Sequence, residues 1–206
     1  MTSQAAAISL VTEETEATQP IQVDAMELYR AIRATAVAMG DKDRVTLHGV
    51  YIEVKESTVC VVGTNGSYMM KYTIETEEQQ PKFNAYIDGS SIKLLLSWLK
   101  DQVGIINVCE TSMRSALGII HFQNNDYKFP DYEQVIPRMD AYKGVSAIGL
   151  SCKYIADISK AYKAASPRSE KAPSICMSFG DDCLDPIRIT SKSVPQLLTI
   201  LMPVRL

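Results

Sequence analysis

The sequence predicts an α+β fold in which one helix-and-strand unit is repeated. Of its 206 residues, 46% are hydrophobic and 22% are charged, which is the balance of a folded globular protein. An amphipathic helical segment is followed by short segments rich in β-branched and aromatic residues, and this order recurs. The pattern returns roughly every 60 to 70 residues, so we expect about three β-α-β-β-β units.

The first unit begins near Ile21. In "VDAMELYRAIRATAVAM", Asp24 and Glu27 have the spacing that caps a helix, and Leu28 and Ile32 fall on one face with Met39. The segments "GVYIEVK", "TVCVVGT" and "YMMKYTIET" predict three strands separated by turns such as "NGS". Residues 1–19 are small, polar and acidic without periodicity, which predicts a disordered tail.

The second and third units repeat this order. The second has a strand in "KFNAYID", a helix from Ser90 to Lys100, and strands in "GIINVCE" and "ALGIIHFQN". The third has a strand in "VSAIGLS", a helix from Cys152 to Lys163 capped by Ser151, and strands in "SICMSFG", "PIRITSK" and "LLTILMPVRL". The polar segment "KAASPRSEKAP" predicts an exposed loop.

A stretch with two prolines, "FPDYEQVIPRMDAYKG", divides the chain. We therefore predict a two-unit domain at residues 20–128, a linker at residues 129–144 and a half domain at residues 145–206. The net charge of −3 excludes an overall basic field, so any binding of nucleic acid depends on locally segregated charge. No window approaches the length of a membrane span and no secretory signal is recognisable, so we expect a cytoplasmic protein that does not contact membranes.

Enzyme chemistry has little support. The two histidines, His48 and His121, lie in strand-like segments without a nucleophile motif, a phosphate loop or metal-ligand spacing, and structural roles are expected for both. The acidic group Asp181, Asp182 and Asp185 could hold a divalent metal, but a solvated turn is favoured. We predict no catalysis and no cofactor.

The cysteines are five in number and widely spaced, without a C-x-x-C pair. They are expected to be buried free thiols rather than disulfides or zinc ligands: Cys60, Cys109, Cys152, Cys176 and Cys183.

Each predicted helix carries basic residues away from its apolar stripe. Solubility alone explains such residues on one helix, but their recurrence on three helices of an acidic chain favours a shared basic surface that contacts phosphates. The residues expected on that surface are Arg30, Arg33, Lys93, Lys100, Lys153, Lys160 and Lys163.

The terminal "LLTILMPVRL" is almost wholly apolar, whereas most chains end in a polar tail. This stretch is either buried or offered to a partner. Together with "RVTLHGVYIEV...VVGTNGSYMM" and "FPDYEQVIP", it resembles the bacterial sliding clamp, the β subunit of the replicative DNA polymerase, over residues 21–206. The resemblance implies a DNA-clamp fold, with helices lining a pore around duplex DNA and sheets outside.

The resemblance also implies an apolar cleft that receives an extended peptide from polymerases, a clamp loader or repair proteins. The apolar ending would then form one wall of that cleft. By matching position, the cleft would comprise Arg44, Leu47, Thr64, Gly66, Ser67, Tyr68, Met69, Pro130, Gln134, Val135, Ile200, Leu201, Met202, Pro203, Val204, Arg205 and Leu206. Alternatively, "NGS" is only a hairpin turn and "LMPVRL" only a core strand.

This chain departs from the family at two points. Ser67 and Tyr68 stand where many members have histidine and arginine, and Asn65 stands where they have aspartate, so a less basic cleft is expected. Family chains carry six units and form rings of twelve, whereas three units are recognised here, which implies a homotetramer. In a head-to-tail ring, junctions within domains alternate with junctions between domains, and identical chains with an odd number of units cannot keep this alternation. A dimer that pairs the third unit of one chain with the third unit of another is therefore the runner-up.

Two functions follow from the resemblance. The first is a sliding clamp that encircles duplex DNA without sequence preference and tethers a polymerase or another DNA enzyme. The second is a decoy or adaptor that binds clamp-interaction peptides without encircling DNA. Basic residues on the third helix favour the clamp, because a decoy has no need of them.

Overall fold

The computed structural model describes residues 20–76, 81–122, 124, 127–137, 148–167, 169–170 and 173–204. Three helices lie in these ranges: α1 (Ala25–Thr35), α2 (Gly89–Lys100) and α3 (Cys152–Ala165). The strands are β1 (Ile21–Asp24), β2 (Gly49–Val54), β3 (Thr58–Thr64), β4 (Tyr68–Glu75), β5 (Asn84–Asp88), β6 (Ile105–Val108), β7 (Ser112–Ser115), β8 (Gly118–His121), β9 (Cys176–Ser178), β10 (Ile187–Thr190) and β11 (Leu197–Leu201). The predicted α+β class is confirmed.

The strands form two antiparallel sheets, in the orders β1-β6-β7-β8 and β5-β2-β3-β4-β11-β10-β9. The first two units exchange their leading strands: β1 precedes α1 but pairs with β6, and β5 precedes α2 but pairs with β2. The third unit extends the sheet of the first, because β11 pairs with β4 over five residues from Leu197 to Leu201. The proposed domain boundaries remain a prediction.

The helices begin for local chemical reasons. The carboxylate of Asp24 accepts hydrogen bonds from the backbone N–H groups of Met26 and Glu27, which confirms the predicted cap. Glu27 does not complete a capping box, since its carboxylate accepts hydrogen bonds from Arg30 and Tyr72. Asp88 caps α2 in the same way through Ser90, whereas Ser151 makes no side-chain capping bond to α3.

One continuous core lies between the helices and the inner faces of the sheets. Leu28 and Ile32 of α1, Leu95 of α2 and Ile158 of α3 are completely buried in it. A second, smaller cluster lies on the outer face of the seven-stranded sheet and includes Met69 and Ile200. Alternate residues of β4 and β11 therefore serve different cores, as the two-residue period of a strand requires.

Two strand predictions need correction. The segment "VSAIGLS" was expected to form the leading strand of the third unit, but its described part makes only an isolated bridge between Gly149 and Val204. The terminal strand ends at Leu201, so Met202 and Pro203, which follow it, are not strand. Pro203 accounts for that ending, because proline lacks the N–H that a ladder needs.

Candidate functional site

A cavity of about 220 Å³ lies over the junction between β4 and β11. Its floor includes Met69 and Ile200, which lie opposite each other in the two strands. Its walls come from the loop before β2, the β3–β4 turn, the segment after Phe129 and the end of β11. The lining residues are Leu47, Thr64, Gly66, Ser67, Tyr68, Met69, Pro130, Asp131, Tyr132, Val135, Ile200 and Met202.

The β3–β4 turn is organised by Asn65. Its side-chain oxygen accepts hydrogen bonds from the backbone N–H groups of Ser67 at 2.9 Å and Tyr68 at 3.1 Å. Gly66 adopts a φ of 86°, a left-handed conformation that glycine tolerates best. The Asn65 side chain supplies the acceptor for backbone N–H groups that an aspartate would supply, without the negative charge.

The chain end is tied to this turn. The backbone N–H of Met202 donates to the Ser67 carbonyl at 3.0 Å, and the N–H of Val204 donates to the Gly149 carbonyl at 3.0 Å. The side chain of Met202 remains 38% exposed. An apolar side chain is thus held at the rim of the cavity by backbone bonds rather than by burial.

The wall that includes Pro130 belongs to a segment that we call the connector, residues 129–137. The ring of Phe129 stacks on Tyr51 with 4.7 Å between centroids, and Tyr132 donates a hydrogen bond to the carboxylate of Glu53. The Lys55 ammonium lies 2.6 Å from the Glu133 carboxylate. These contacts hold the connector against the outer face of the sheet.

The same contacts shift the pKa values of two residues in the connector. The Lys55 ammonium, which donates a hydrogen bond to Glu133, holds the pKa of that carboxyl below its usual range. Burial, followed by the bond to Glu53, raises the pKa of Tyr132. Among the described residues that line the cavity, Asp131 is the single charged group, so the rim has negative character.

Ten of the predicted cleft residues line this cavity: Leu47, Thr64, Gly66, Ser67, Tyr68, Met69, Pro130, Val135, Ile200 and Met202. The side chain of Tyr68 nevertheless belongs to the inner core, where its hydroxyl donates to the Val37 carbonyl. Sequence reasoning missed Asp131 and Tyr132, although both lie within the quoted "FPDYEQVIP". Tyr132, an aromatic residue two positions after Pro130, was the available signal.

The other predicted cleft residues lie elsewhere. The Arg44 guanidinium donates to the Asn65 carbonyl of the β3–β4 turn at 2.7 Å, and the Gln134 amide donates to Asp131. Leu201 is fully buried in the inner core because it points to the opposite face of β11. Pro203 and Val204 follow the strand but do not line the cavity, and Arg205 and Leu206 lie outside the described residues.

The three helices carry seven basic and two acidic side chains. Glu27 pairs with Arg30 at 2.8 Å, and Asp157 pairs with Lys160 at 3.0 Å. The remaining five basic residues form no salt bridge within the described part of the chain: Arg33, Lys93, Lys100, Lys153 and Lys163. The helical layer therefore carries a surplus of positive charge in an acidic protein.

An open groove of about 640 Å³ brings four of these basic residues together from all three helices. Arg30 and Arg33 come from α1, Lys100 comes from the end of α2, and Lys163 comes from the last turn of α3. Lys93, Lys153 and Lys160 are exposed but do not line this groove. Exposed cations beside a groove can contact phosphate oxygens without reading bases.

The remaining candidates for chemistry have structural surroundings. His48 lies 2.9 Å from the Gly40 carbonyl, and Asp182 and Asp185 accept backbone hydrogen bonds within their own turn. Within the described ranges, no group of three or more histidine, cysteine or acidic residues could hold a metal ion. No helix in the described ranges is long and apolar enough to cross a bilayer.

All five cysteines are free thiols, as predicted. The expectation that they are buried holds for Cys60 alone, since Cys109 is only partly buried and three cysteines are exposed: Cys152, Cys176 and Cys183. Two of these three begin regular elements, α3 and β9, where the chain has just left a loop.

The comparison with solved structures identifies this architecture as the DNA sliding-clamp fold. A DnaN sliding clamp from Pseudomonas aeruginosa, solved bound to griselimycin, matches 95% of this chain and 68% of its own with a TM-score of 0.77 and 17% identity. The β subunit of DNA polymerase III from Thermotoga maritima matches 96% of this chain and 69% of its own, with a TM-score of 0.73 and 16% identity.

Curated sequences agree with the fold. The beta sliding clamp of Pseudomonas putida is 28% identical over 132 residues, which are 61% of this chain and 36% of that protein. The beta sliding clamp of Pseudomonas aeruginosa is 30% identical over 118 residues, which are 54% of this chain and 32% of that protein. No protein-family model matches the chain. The chain is similar in sequence to bacterial beta sliding clamps, and its matches span about a third of their length.

Proposed function

We propose that this protein is a DNA sliding clamp that tethers a polymerase or another DNA enzyme through a short peptide bound over the β4–β11 junction. The observation that carries the proposal is the cavity itself. Ten residues that the family resemblance selects from distant parts of the chain line this one cavity, and two of them, Met69 and Ile200, belong to its apolar floor.

The cavity suits an extended peptide with apolar anchor side chains. Its floor is apolar, and its volume of about 220 Å³ is enough for one or two large apolar side chains. The exposed side chains of Val135 and Met202 stand at its rim, where they can cover a bound anchor. Since Asp131 is the single charged group among the described lining residues, a peptide with a positive or hydrogen-bond-donating flank is favoured.

The helical layer supports the DNA-binding half of the proposal. Three of its unpaired basic residues, Arg33, Lys100 and Lys163, line a groove bordered by all three helices, which suits nonspecific contact with the phosphates of a duplex. A clamp needs such diffuse contacts because it must slide. The function is tethering in the cytoplasm and involves no catalysis and no cofactor, while a clamp loader is a further partner if a closed ring must be opened.

Encirclement requires several chains, and we propose a homotetramer in preference to a dimer. The alternative function, a decoy or adaptor, is favoured by one observation: three units leave β8 and β9 as sheet edges with one paired neighbour each among the described strands. A chain that never closes its edges would keep the peptide cavity without surrounding DNA.

Threading onto linear DNA tests encirclement without a loader. A linear duplex with biotin at both ends is mixed with the protein, streptavidin is then added, and the sample is washed at raised salt. A sliding clamp should remain only when streptavidin blocks both ends. Equal retention with and without streptavidin would indicate ordinary DNA binding, and no retention by a protein that still binds peptide would favour the adaptor.

A further inference from the structure

We propose that two copies of this chain join through their third units by exchanging the segments that precede α3. In this contact, residues 148–151 of each copy pair with β9 of the other copy. The partner is a second copy of the same chain, and the inference rests neither on DNA binding nor on peptide binding.

The first two units supply the template within this chain. Each contributes the strand before its helix to the sheet of the other, β1 to β6 and β5 to β2. The register follows one rule. The helix cap lies opposite the first residue of the receiving strand, so that Asp24 pairs with Ile105 and Asp88 pairs with Gly49.

The third unit also has a segment before its helix and a first strand after it, but within the described residues no other unit exchanges strands with it. Its leading segment, 148–151, makes only the isolated bridge from Gly149 to Val204. Its first strand, β9, ends the seven-stranded sheet and pairs only with β10 among the described strands. Apart from that bridge, the donor segment and the acceptor edge of this unit therefore have no strand partner among the described residues.

The burial of the donor segments supports the comparison. The residue before the cap is Val23 in the first unit and Ile87 in the second, and these side chains are 2% and 0% exposed. The equivalent residue of the third unit is Leu150, which is apolar but only partly buried. Ile148 stands two positions earlier, where the other units have Ile21 and Ala85, and it too is only partly buried.

The burial of the strands that receive these segments supports the same comparison. The second residues of β2 and β6, Val50 and Ile106, are both 0% exposed, whereas the equivalent Met177 of β9 is partly exposed. Two positions further along, Phe179 is also partly exposed, although its counterparts in β2 and β6 are buried. Apolar residues thus occupy both sides of a contact that is formed twice within the chain and left open once.

The contact is isologous, because each copy gives and receives the same segment around a two-fold axis. A single chain cannot form this contact with itself, because its own residues 148–151 would have to pair with its own β9. Applied to the third unit, the register rule places Ser151 of one copy opposite the partner's Cys176. Leu150 then lies opposite the partner's Met177. Because side chains alternate along a strand, the side chain of Leu150 lies on the opposite face of the sheet from Ser151 and the partner's Cys176.

The two-fold contact also removes the difficulty with a ring of three-unit chains. That difficulty applies to chains joined head to tail. When two chains join through their third units, β8 is the edge strand left free at each end of the pair. β8 is the last strand of its unit, as β4 and β11 are the last strands of theirs. Ile119 of β8 is 48% exposed. An antiparallel β8–β8 contact would alternate with the first one, so that a ring closes at an even number of chains, and four chains of three units supply the twelve units of the family's ring.

Cysteine crosslinking tests the register. In the full chain with Cys109, Cys152 and Cys183 replaced by serine, Ser151→Cys should give a covalent dimer under mild oxidation through the natural Cys176. Leu150→Cys is the matched control, one residue away, and should not crosslink. Adding Cys176→Ser to Ser151→Cys should abolish the dimer.

Sedimentation of the unmodified chain gives an independent measurement, which does not depend on any substitution. A species of at least twice the 22.8 kDa chain mass is expected at micromolar concentration. A monomer under these conditions, or equal crosslinking by the Leu150→Cys and Ser151→Cys variants, would overturn the proposal.

Discussion

Ile200 of β11 lies directly opposite Met69 of β4, and this cross-strand pair joins the third unit of the chain to the first. Both side chains point to the outer face, where Phe129 and Tyr132 of the connector pack against the same cluster. The candidate cleft therefore exists only where three segments, distant in sequence, meet on one sheet.

Charging the rim of the cavity should abolish peptide binding without unfolding the protein. Met202 is 38% exposed, so an aspartate there can stay in water, yet it would stand beside the apolar floor. We expect Met202→Asp to lower the affinity for a clamp-interaction peptide at least tenfold, about 1.4 kcal/mol, in a fluorescence anisotropy titration. Leu184→Asp, at a similarly exposed apolar position outside the cavity, is the matched control. Unchanged affinity in the Met202 variant would exclude this cavity as the peptide site.

Reversing charge along the helical groove should remove DNA binding. Arg33, Lys100 and Lys163 come from three different helices and border one groove, so their replacement by glutamate creates repulsion along a single surface. In the wild type, the logarithm of affinity should fall with the logarithm of salt by about 0.9 for each phosphate contacted. The triple variant should lose binding and keep its affinity for peptide.

The control for that experiment reverses three exposed lysines that lie outside the helices, Lys42, Lys82 and Lys128. It changes the net charge by the same amount. If both triple variants weaken DNA binding equally, the effect comes from overall charge, and the helical groove has no special role.

Acidification should loosen the connector. The pKa of Glu133 is lower in the folded protein than in the unfolded chain, where it is about 4.3. Its pairing with Lys55 therefore stabilises the fold above that value and is lost as the pH falls through the lower folded pKa. Because Glu133 is largely exposed, the contribution to the free energy of unfolding should be no more than about 1 kcal/mol.

The comparison is with Glu133→Gln, which cannot ionise. Denaturant unfolding of the wild type and the variant should differ near pH 7 and converge as the pH falls below the folded pKa of Glu133. A constant difference across this range would show that the pair contributes nothing through its charge.

The docking of α3 should depend on one buried hydroxyl. The Tyr162 side chain is 1% exposed, and its hydroxyl lies 2.8 Å from the Ile189 carbonyl and 3.1 Å from the Leu197 carbonyl. We expect Tyr162→Phe to lower the free energy of unfolding by about 1 to 3 kcal/mol, because buried carbonyls lose their donor. Burial raises the pKa of Tyr162 to about 12, so this loss should be constant over the neutral pH range.

Tyr127→Phe serves as the matched control, since the Tyr127 side chain is 40% exposed. Its free energy of unfolding should change by less than about 0.5 kcal/mol. Equal effects at the two positions would contradict the assigned role of the Tyr162 hydroxyl.

The sequence by itself determined the kinds of elements and much of the candidate cleft. The periodicity of Leu28 and Ile32 predicts α1, and Asp24 marks its start, because amphipathicity and capping depend on residues close together in the chain. Most of the cleft residues came from resemblance to a known family, and the tail "LLTILMPVRL" was recognisable because long apolar endings are unusual. These signals are local, so they can be read without the fold.

The tertiary structure decided which side of each element serves which purpose. Leu201 and Ile200 are adjacent and both apolar, yet one fills the inner core and the other forms the cavity floor, because β11 pairs with β4 in one particular register. The crossing of β1 and β5 between units, and the absence of that crossing at residues 148–151, also depend on pairings between distant segments. The alternating sequence of a strand indicates that the strand has two faces, but only the neighbouring strands in the sheet determine what each face contacts.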